Sequence, residues 1–133
     1  MIAAATGARL FKIDQEIPYA ADYDTCIAQT KKDLQAKARP KLASMPEGLK
    51  EYDEFYLGFP NYWEDMPMAV YTFLENFHWN GKVIHPFCTH EGSGLSGTVQ
   101  KIEKACKRAS VTKGLAIQGG SVDSAKAEIE KWL

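Results

Sequence analysis

The fold of this 133-residue chain is decided near its middle by the stretch EFYLGFPNYWEDMP, residues 54–67. Residues 54–59 form a compact apolar run without clean alternation, which is typical of a strand buried on both faces. Pro60 ends that run, and Pro67 is well placed in the first turn of a helix whose apolar residues recur at helical spacing. The stretch therefore predicts a buried strand, a polar and aromatic loop, and a helix.

The same alternation of strands and helices continues on both sides of this stretch. Alternating or continuous apolar runs predict further strands at residues 9–13, 82–88 and 111–117. Helical spacing predicts helices that begin near residues 23, 95 and 122, and Gly7 is typical of the glycine that ends a helix. Strict alternation with helices of about ten residues predicts right-handed crossovers and a parallel sheet covered on both faces. We expect one α/β domain over residues 1–133.

Composition and charge argue against several classes of partner. The formal net charge is −1, and the densest basic stretch, residues 101–108, is interrupted by Glu103 and is typical of a solvated helix face. Nucleic acids and anionic membranes require clustered Lys and Arg, so neither is an expected partner. No apolar run reaches the length of about 20 residues that a membrane helix needs. The first residues do not resemble a signal peptide, so we expect a cytoplasmic location.

Cysteine and histidine spacing predicts neither disulfides nor a metal site. Cys26, Cys88 and Cys106 make an odd number without a C-x-x-C pair, which fits buried free thiols in a reducing compartment. None of the three histidines has a spacing to Cys or carboxylate residues that is typical of zinc ligands.

Two loops follow the predicted strands at the sheet edge where ligands of parallel sheets bind. After residue 59, Tyr62 and Trp63 stand where they either stack on a flat ligand or cover the edge of the core. After residue 88, a polar and glycine-rich loop leads into a helix, and its backbone N–H groups are able to approach a ligand closely.

Two other functions suggested by the second loop have weaker support. Its glycines at positions 92, 94 and 97 satisfy the dinucleotide fingerprint, but that fingerprint belongs after a first strand, and the next strand ends without a carboxylate. Cys88, His90 and Glu91 are the residue types of a hydrolase, but no nucleophile elbow accompanies them. No catalytic residue is predicted.

Taken together, four stretches resemble the flavodoxin family, and particularly its bacterial branch. They are YDEFYLGFP at residues 52–60, Trp63 with MPM at residues 66–68, PFCTHEGSG at residues 86–94, and GLAI at residues 114–117. The resemblance extends over residues 7–133 and implies a flavodoxin-like three-layer sandwich. It also implies FMN as cofactor, with Tyr62 or Trp63 stacking on the flavin ring and the second loop meeting the ring's pyrimidine edge through backbone amides. The residues implied in cofactor binding are Pro60, Asn61, Tyr62, Trp63, Glu64, Thr89, His90, Glu91, Gly92, Ser93 and Gly94.

The chain departs from the flavodoxin pattern at its beginning. The resemblance implies a first strand, a phosphate-binding loop and a helix ahead of residues 9–13, and this sequence lacks all but the last turn of that helix. We therefore expect four strands instead of five, with residues 9–13 paired directly to residues 54–59. The flavin phosphate would lose its binding loop, and one sheet face would lose its covering helix. A large exposed apolar face predicts a homodimer through that face.

Two functions follow from this comparison. The first is that of an FMN-binding electron carrier or reductase that works with a redox partner protein. The alternative is a flavodoxin scaffold without FMN that acts as a dimeric binding or interaction module.

Overall fold

The computed structural model describes every residue from Met1 to Leu133 and contains one four-stranded sheet. The strands are β1 (Glu54–Pro60), β2 (Val83–His90), β3 (Ser110–Val111) and β4 (Leu115–Gln118). The helices are α1 (Ile2–Thr6), α2 (Tyr23–Ala36), α3 (Met68–Glu75), α4 (Thr98–Ala105) and α5 (Lys126–Trp132). Two short 3-10 helices cover Leu49–Glu51 and Gly119–Ser124.

All strand pairs in the sheet are parallel and all of them include β2. β1 pairs with one edge of β2, from Glu54 opposite Val83 to Pro60 opposite Thr89. β3 and β4 pair with successive parts of the other edge of β2. An open parallel sheet with helices is the fold class that the sequence predicts, and this prediction is confirmed. β1 is left as an edge strand, because no other strand pairs with it.

The strand predicted at residues 9–13 does not form, and its direct pairing with β1 is wrong. No backbone N–H or C=O group of these residues makes a hydrogen bond within the chain. The side chains of the segment contact other parts of the chain: the Phe11 ring stacks on Phe73 of α3 at 6.4 Å, and the Arg9 guanidinium donates to the Glu47 carbonyl at 2.7 Å. A ladder needs strands about 4.8 Å apart, so the alternating pattern has no partner to pair with.

The strand predicted at residues 111–117 is divided into β3 and β4. The interruption lies at residues 112–114, where Gly114 packs so closely against Leu95 that a Cβ atom at this position would overlap the leucine side chain. The four strands of the sheet therefore differ from the four predicted: one did not form and another became two.

The core lies on both faces of the sheet but is larger on one of them. The face beneath α3 and α4 buries the main cluster, which includes Leu57, Phe59, Leu74, Ile84 and Ile102. The face beneath α5 buries a smaller cluster of Ile117, Ala125 and Ile129, against which Ile2 of α1 packs. The homodimer predicted for the less covered face stays a prediction. No helix of the chain is both long and apolar enough to cross a membrane.

Candidate functional site

Two loops lie side by side at the carboxyl ends of β1 and β2. We call residues 61–67 the aromatic loop and residues 91–97 the glycine loop. They begin at paired strand ends, because Pro60 lies opposite Thr89 and the Asn61 N–H donates to the Thr89 carbonyl at 2.8 Å. The structure therefore brings the two predicted ligand-contacting loops together at the edge where parallel sheets bind ligands.

The aromatic loop is a tight turn with an uncommon backbone. Tyr62 and Asp65 exchange backbone hydrogen bonds of 2.8 and 2.9 Å across the turn. The two residues between them, Trp63 and Glu64, have φ angles of +54° and +62°. Positive φ at both central positions normally selects Gly, Asn or Asp, so a Trp-Glu pair there is strained. Strain of this kind clusters at functional sites.

A buried carboxylate, which the sequence analysis did not single out, anchors this turn. Asp65 is 8% exposed, and its Oδ1 accepts from the Met66 N–H at 2.7 Å and from the Tyr71 hydroxyl at 2.6 Å. Its Oδ2 lies 2.9 Å from Nζ of Lys101 on α4. Burial, together with the hydrogen bond to Asp65, raises the pKa of Tyr71. The aromatic loop is thus fixed to both α3 and α4.

The two aromatic side chains lean toward α2. The Trp63 indole N–H lies 3.3 Å from the Thr30 hydroxyl, and the Lys31 ammonium lies 5.3 Å from the ring centre. Burial, followed by the nearby Cys26, raises the pKa of Tyr62. Both side chains remain accessible, with 41% of Tyr62 and 47% of Trp63 exposed. Each ring therefore packs on α2 with one part and keeps another part available to a flat ligand.

The glycine loop carries backbone donors that no group of the chain uses. The Gly92 N–H donates to Nδ1 of His90 at 2.9 Å. The N–H groups of Ser93, Gly94 and Leu95 make no hydrogen bond within the chain. Gly92 and Gly94 have φ angles of +141° and +63°, and a Cβ atom at either position would meet open space. The loop thus presents unpaired amides on an unobstructed surface.

Asn61 joins the two loops. Its side-chain amide donates to the Gly94 carbonyl at 2.7 Å and lies 3.2 Å from the Ser96 hydroxyl, which itself donates to the Ser93 carbonyl. These bonds direct the Gly94 carbonyl toward Asn61 and the Ser93 carbonyl toward the Ser96 hydroxyl. The position of the free amides therefore depends on Asn61, a role that the sequence did not reveal.

The remaining predicted site residues lie around the same two loops. Glu64 is exposed at the tip of the aromatic turn. The Glu91 carboxylate lies over Gly119, the first residue after β4, so closely that a Cβ atom there would be 2.5 Å from Oε1. Glu91 thus links the glycine loop to the end of β4.

Cys88 does not have the surroundings of a nucleophile. It is 1% exposed, its Sγ lies 3.4 Å from the Gly94 carbonyl, and burial raises its thiol pKa. Because the thiolate is the nucleophilic form, a buried thiol of raised pKa is inert. His90 accepts the Gly92 amide and is not directed at Cys88. Cys88 therefore packs in the core beneath the loops.

Comparisons with known proteins identify the family and the fold. A family model described as Flavodoxin matches residues 1–133. A candidate flavoprotein from Bacteroides uniformis is 28% identical with a TM-score of 0.82, over 97% of this chain and 85% of that structure. Another, from Bacteroides eggerthii, is 25% identical with the same TM-score, over 99% and 83%. A Lactobacillus acidophilus flavoprotein in complex with FMN is 18% identical, with a TM-score of 0.63 over 84% and 76%, and shows similarity of fold. No curated protein matches the chain.

Proposed function

Because this chain belongs to the flavodoxin family, we propose that it binds FMN between the aromatic and glycine loops and transfers electrons to a partner protein in the cytoplasm. The observation that carries this proposal is the set of unpaired amides at Ser93, Gly94 and Leu95, held beside Asn61 at the carboxyl end of β2. A flavin when bound supplies the redox chemistry, and the protein supplies binding, orientation and electrostatics.

The donor set of the glycine loop fits the edge of a flavin ring. That edge carries carbonyl oxygens and a nitrogen that accept hydrogen bonds, and it gains negative charge when the ring is reduced. Fixed N–H groups stabilise such charge without having to reorient. The accessible parts of Tyr62 and Trp63 would then lie against the ring face. The FMN found in the Lactobacillus acidophilus relative supports FMN as the form of flavin.

The ring, rather than the phosphate, is the part of the cofactor that these two loops would recognise. The donors of the glycine loop and of Asn61 are neutral amides, and the two cations that contact the aromatic loop already have partners: Lys31 lies over Trp63 and Lys101 pairs with Asp65. We therefore expect FMN and riboflavin to bind this chain with affinities within about tenfold of each other, since one charge-assisted hydrogen bond is worth about that factor.

An Asn61 variant tests whether the glycine loop is the binding element. Asn61→Asp places a carboxylate oxygen against the Gly94 carbonyl and removes the donor that holds the loop. The fluorescence of FMN titrated with purified protein should show a dissociation constant raised about tenfold or more, the value of one lost hydrogen bond plus a repulsion. Asn76→Asp is the matched control, because Asn76 donates in the same way to the Thr72 carbonyl on α3.

The titration has clear opposing outcomes. Equal loss in both variants would reflect a general effect of added charge, and unchanged affinity in Asn61→Asp would contradict a role for the glycine loop. An affinity for FMN that exceeds the affinity for riboflavin by more than about a hundredfold would contradict recognition through the ring.

A second candidate function is that of a binding module without FMN. It is favoured by the free edge of β1 and by a groove beside it, which the two ligand loops do not use. Purified protein that is colourless and leaves FMN fluorescence unquenched would favour this candidate over the flavoprotein.

A further inference from the structure

The three unpaired amides of the glycine loop are not all held in the same way. A backbone N–H lies in one rigid plane with the carbonyl of the preceding residue and points in the opposite direction, so a hydrogen bond to that carbonyl also fixes the N–H. The Gly94 carbonyl accepts from the Asn61 side chain at 2.7 Å, which fixes the Leu95 N–H. The Ser93 carbonyl accepts from the Ser96 hydroxyl at 3.2 Å, which fixes the Gly94 N–H.

The third amide, the Ser93 N–H, depends on His90. The carbonyl in its peptide plane is that of Gly92, which accepts no hydrogen bond within the chain. Gly92 is held instead through its own N–H, which donates to Nδ1 of His90 at 2.9 Å. Packing does not hold Gly92, because its φ is +141° and a Cβ atom there would meet open space. The direction of the Ser93 N–H therefore depends on one hydrogen bond to a histidine ring.

That hydrogen bond requires a neutral His90. A backbone N–H is only a donor, so Nδ1 must accept and the ring proton must lie on Nε2. Protonation of the ring puts a donor on Nδ1 as well, and two donors then face each other. Histidine is the side chain that ordinarily changes its charge between pH 5 and pH 8. The side chains of Asn61 and Ser96 do not titrate in that range, so they hold their parts of the loop throughout it.

No ion pair holds the His90 ring in one charge state. The histidine of this chain that contacts a carboxylate is His85, on the same strand but away from the loop. The segments that adjoin His90 are the end of β2, the two ligand loops, β4 and the 3-10 helix that follows β4. Their titratable groups include no Lys or Arg and are Tyr62, Glu64, Asp65, Cys88, Glu91 and Asp123. The bond from Gly92 is thus the one hydrogen bond of the His90 ring within the chain.

We propose that His90 is a positioning residue for ligand binding, which holds the Ser93 amide in the donor set of the glycine loop in neutral solution and releases it in mildly acidic solution. This inference rests on the proposed function only in taking flavin as the ligand. The loop offers three fixed donors when His90 is neutral and two when it is protonated. A ligand with acceptor atoms along one edge, such as a flavin ring, then loses one hydrogen bond and binds about three- to tenfold more weakly.

NMR of the flavin-free protein tests the role of His90 in the loop itself. At pH 8, a long-range proton–nitrogen correlation spectrum should show the ring proton on Nε2 and an unprotonated Nδ1. Between pH 8 and pH 5, the amide resonances of Gly92 and Ser93 should move together with the titration of the His90 ring. Those of Gly94 and Leu95 should move much less, because the hydrogen bonds that fix them do not titrate.

Riboflavin binding at pH 8 and pH 5 tests the consequence for the ligand site. Riboflavin replaces FMN as the probe because a phosphate monoester itself changes charge near pH 6. The dissociation constant, measured from riboflavin fluorescence, should be about three- to tenfold higher at pH 5 than at pH 8. His78→Gln is the matched control and should keep this ratio, because the His78 side chain is exposed and makes no hydrogen bond within the chain.

Two variants of His90 separate the acceptor from the charge. His90→Asn places a carbonyl oxygen near the position of Nδ1, where it accepts the Gly92 N–H at either pH, so the ratio of the two dissociation constants should fall to about one. His90→Ala has no acceptor at either pH, so its ratio should also be about one. At pH 8 its dissociation constant should exceed that of His90→Asn by about three- to tenfold.

Several results would overturn the proposal. They are a proton on Nδ1 at pH 8, resonances of Gly92 and Ser93 that do not follow the His90 titration, a native ratio of about one, and a native ratio that His90→Asn retains. Resonances of Gly94 and Leu95 that move as far as that of Ser93 would show that the loop opens as a whole and would also overturn it. Absence of riboflavin binding at both pH values, together with the expected resonances, would contradict the proposed function while supporting the role of His90 in the loop.

Discussion

Replacing the buried Asp65 with alanine should destabilise the fold by about 3 kcal/mol. Two donors, the buried Met66 N–H and the half-buried Tyr71 hydroxyl, would lose their acceptor, at about 1–3 kcal/mol each and less for the half-buried one. The contact with Lys101 adds little, because that side chain is 40% exposed and is screened by water. The unfolding entropy of a 133-residue domain is about 280 cal/mol/K near 60 °C, so a loss of 3 kcal/mol lowers Tm by about 11 °C.

The assay is thermal unfolding of the flavin-free protein followed by circular dichroism. Asp53→Ala is the matched control, because the Asp53 side chain is 95% exposed and lies 3.8 Å from Lys82. It should shift Tm by less than about 2 °C. Tyr71→Phe removes the hydroxyl donor and with it one hydrogen bond to Asp65. Its decrease in Tm should lie between those of Asp65→Ala and Asp53→Ala. A decrease of less than about 3 °C for Asp65→Ala would refute the view that this carboxylate anchors the aromatic loop.

Three other predictions concern the ligand surface, the thiols and the assembly. Trp63→Ala should raise the dissociation constant for FMN about five- to tenfold, as expected for a lost aromatic contact. The control Tyr23→Ala removes an aromatic side chain that is 76% exposed on α2 and should leave the dissociation constant unchanged. Equal affinities of the two variants for FMN would count against stacking. A thiol reagent at pH 8 should modify Cys26 alone in the native protein and all three cysteines after unfolding. The reason is that burial raises the pKa of Cys88 and raises that of Cys106 to about 12. Rapid modification of all three cysteines in the native protein would contradict this prediction. Light scattering after size exclusion should give twice the chain mass of 14.8 kDa, and a monodisperse monomer would rule out the predicted dimer.

The two longest strands could be predicted from the sequence because the signal for each is local. Residues 54–60 and 83–90 contain apolar runs bounded by turns. In the structure their burial alternates, with Leu57 and Phe59 buried in the first strand and Ile84 and Cys88 in the second, so the expected burial of residues 54–59 on both faces is not found. Residues 9–13 carry an alternating pattern of similar quality but form no strand. A ladder requires a second backbone edge at the right distance, and an alternating pattern does not reveal whether that edge is present. The interruption at residues 112–114 coincides with close packing of Gly114 against Leu95, a contact that the local sequence does not reveal.

The positions of the two ligand loops were predictable, whereas the contacts that fix them were not. Loops after parallel strands meet at one edge, so the residue ranges followed from the strand order. The sequence does not distinguish Asp65 from an ordinary exposed acidic residue, because its contacts with Tyr71 and Lys101 form only in the folded chain. The same is true of Asn61, whose partner in the glycine loop lies 33 residues away. The left-handed Trp63-Glu64 turn gave no signal, because neither residue type favours positive φ.

The open edge of β1 also bears on how this protein avoids forming aggregates. An exposed row of backbone donors and acceptors is a template for pairing with any other strand, and natural proteins protect such edges with charges, prolines and short lengths. Here Glu54 puts a charge at one end and Pro60 removes a donor at the other, while the segment at residues 9–13 stands in front of the remainder. That segment hinders flat edge-to-edge contact between two folded copies. The segment at residues 9–13 therefore limits edge-to-edge association of folded copies, although it forms no hydrogen bond of its own with β1.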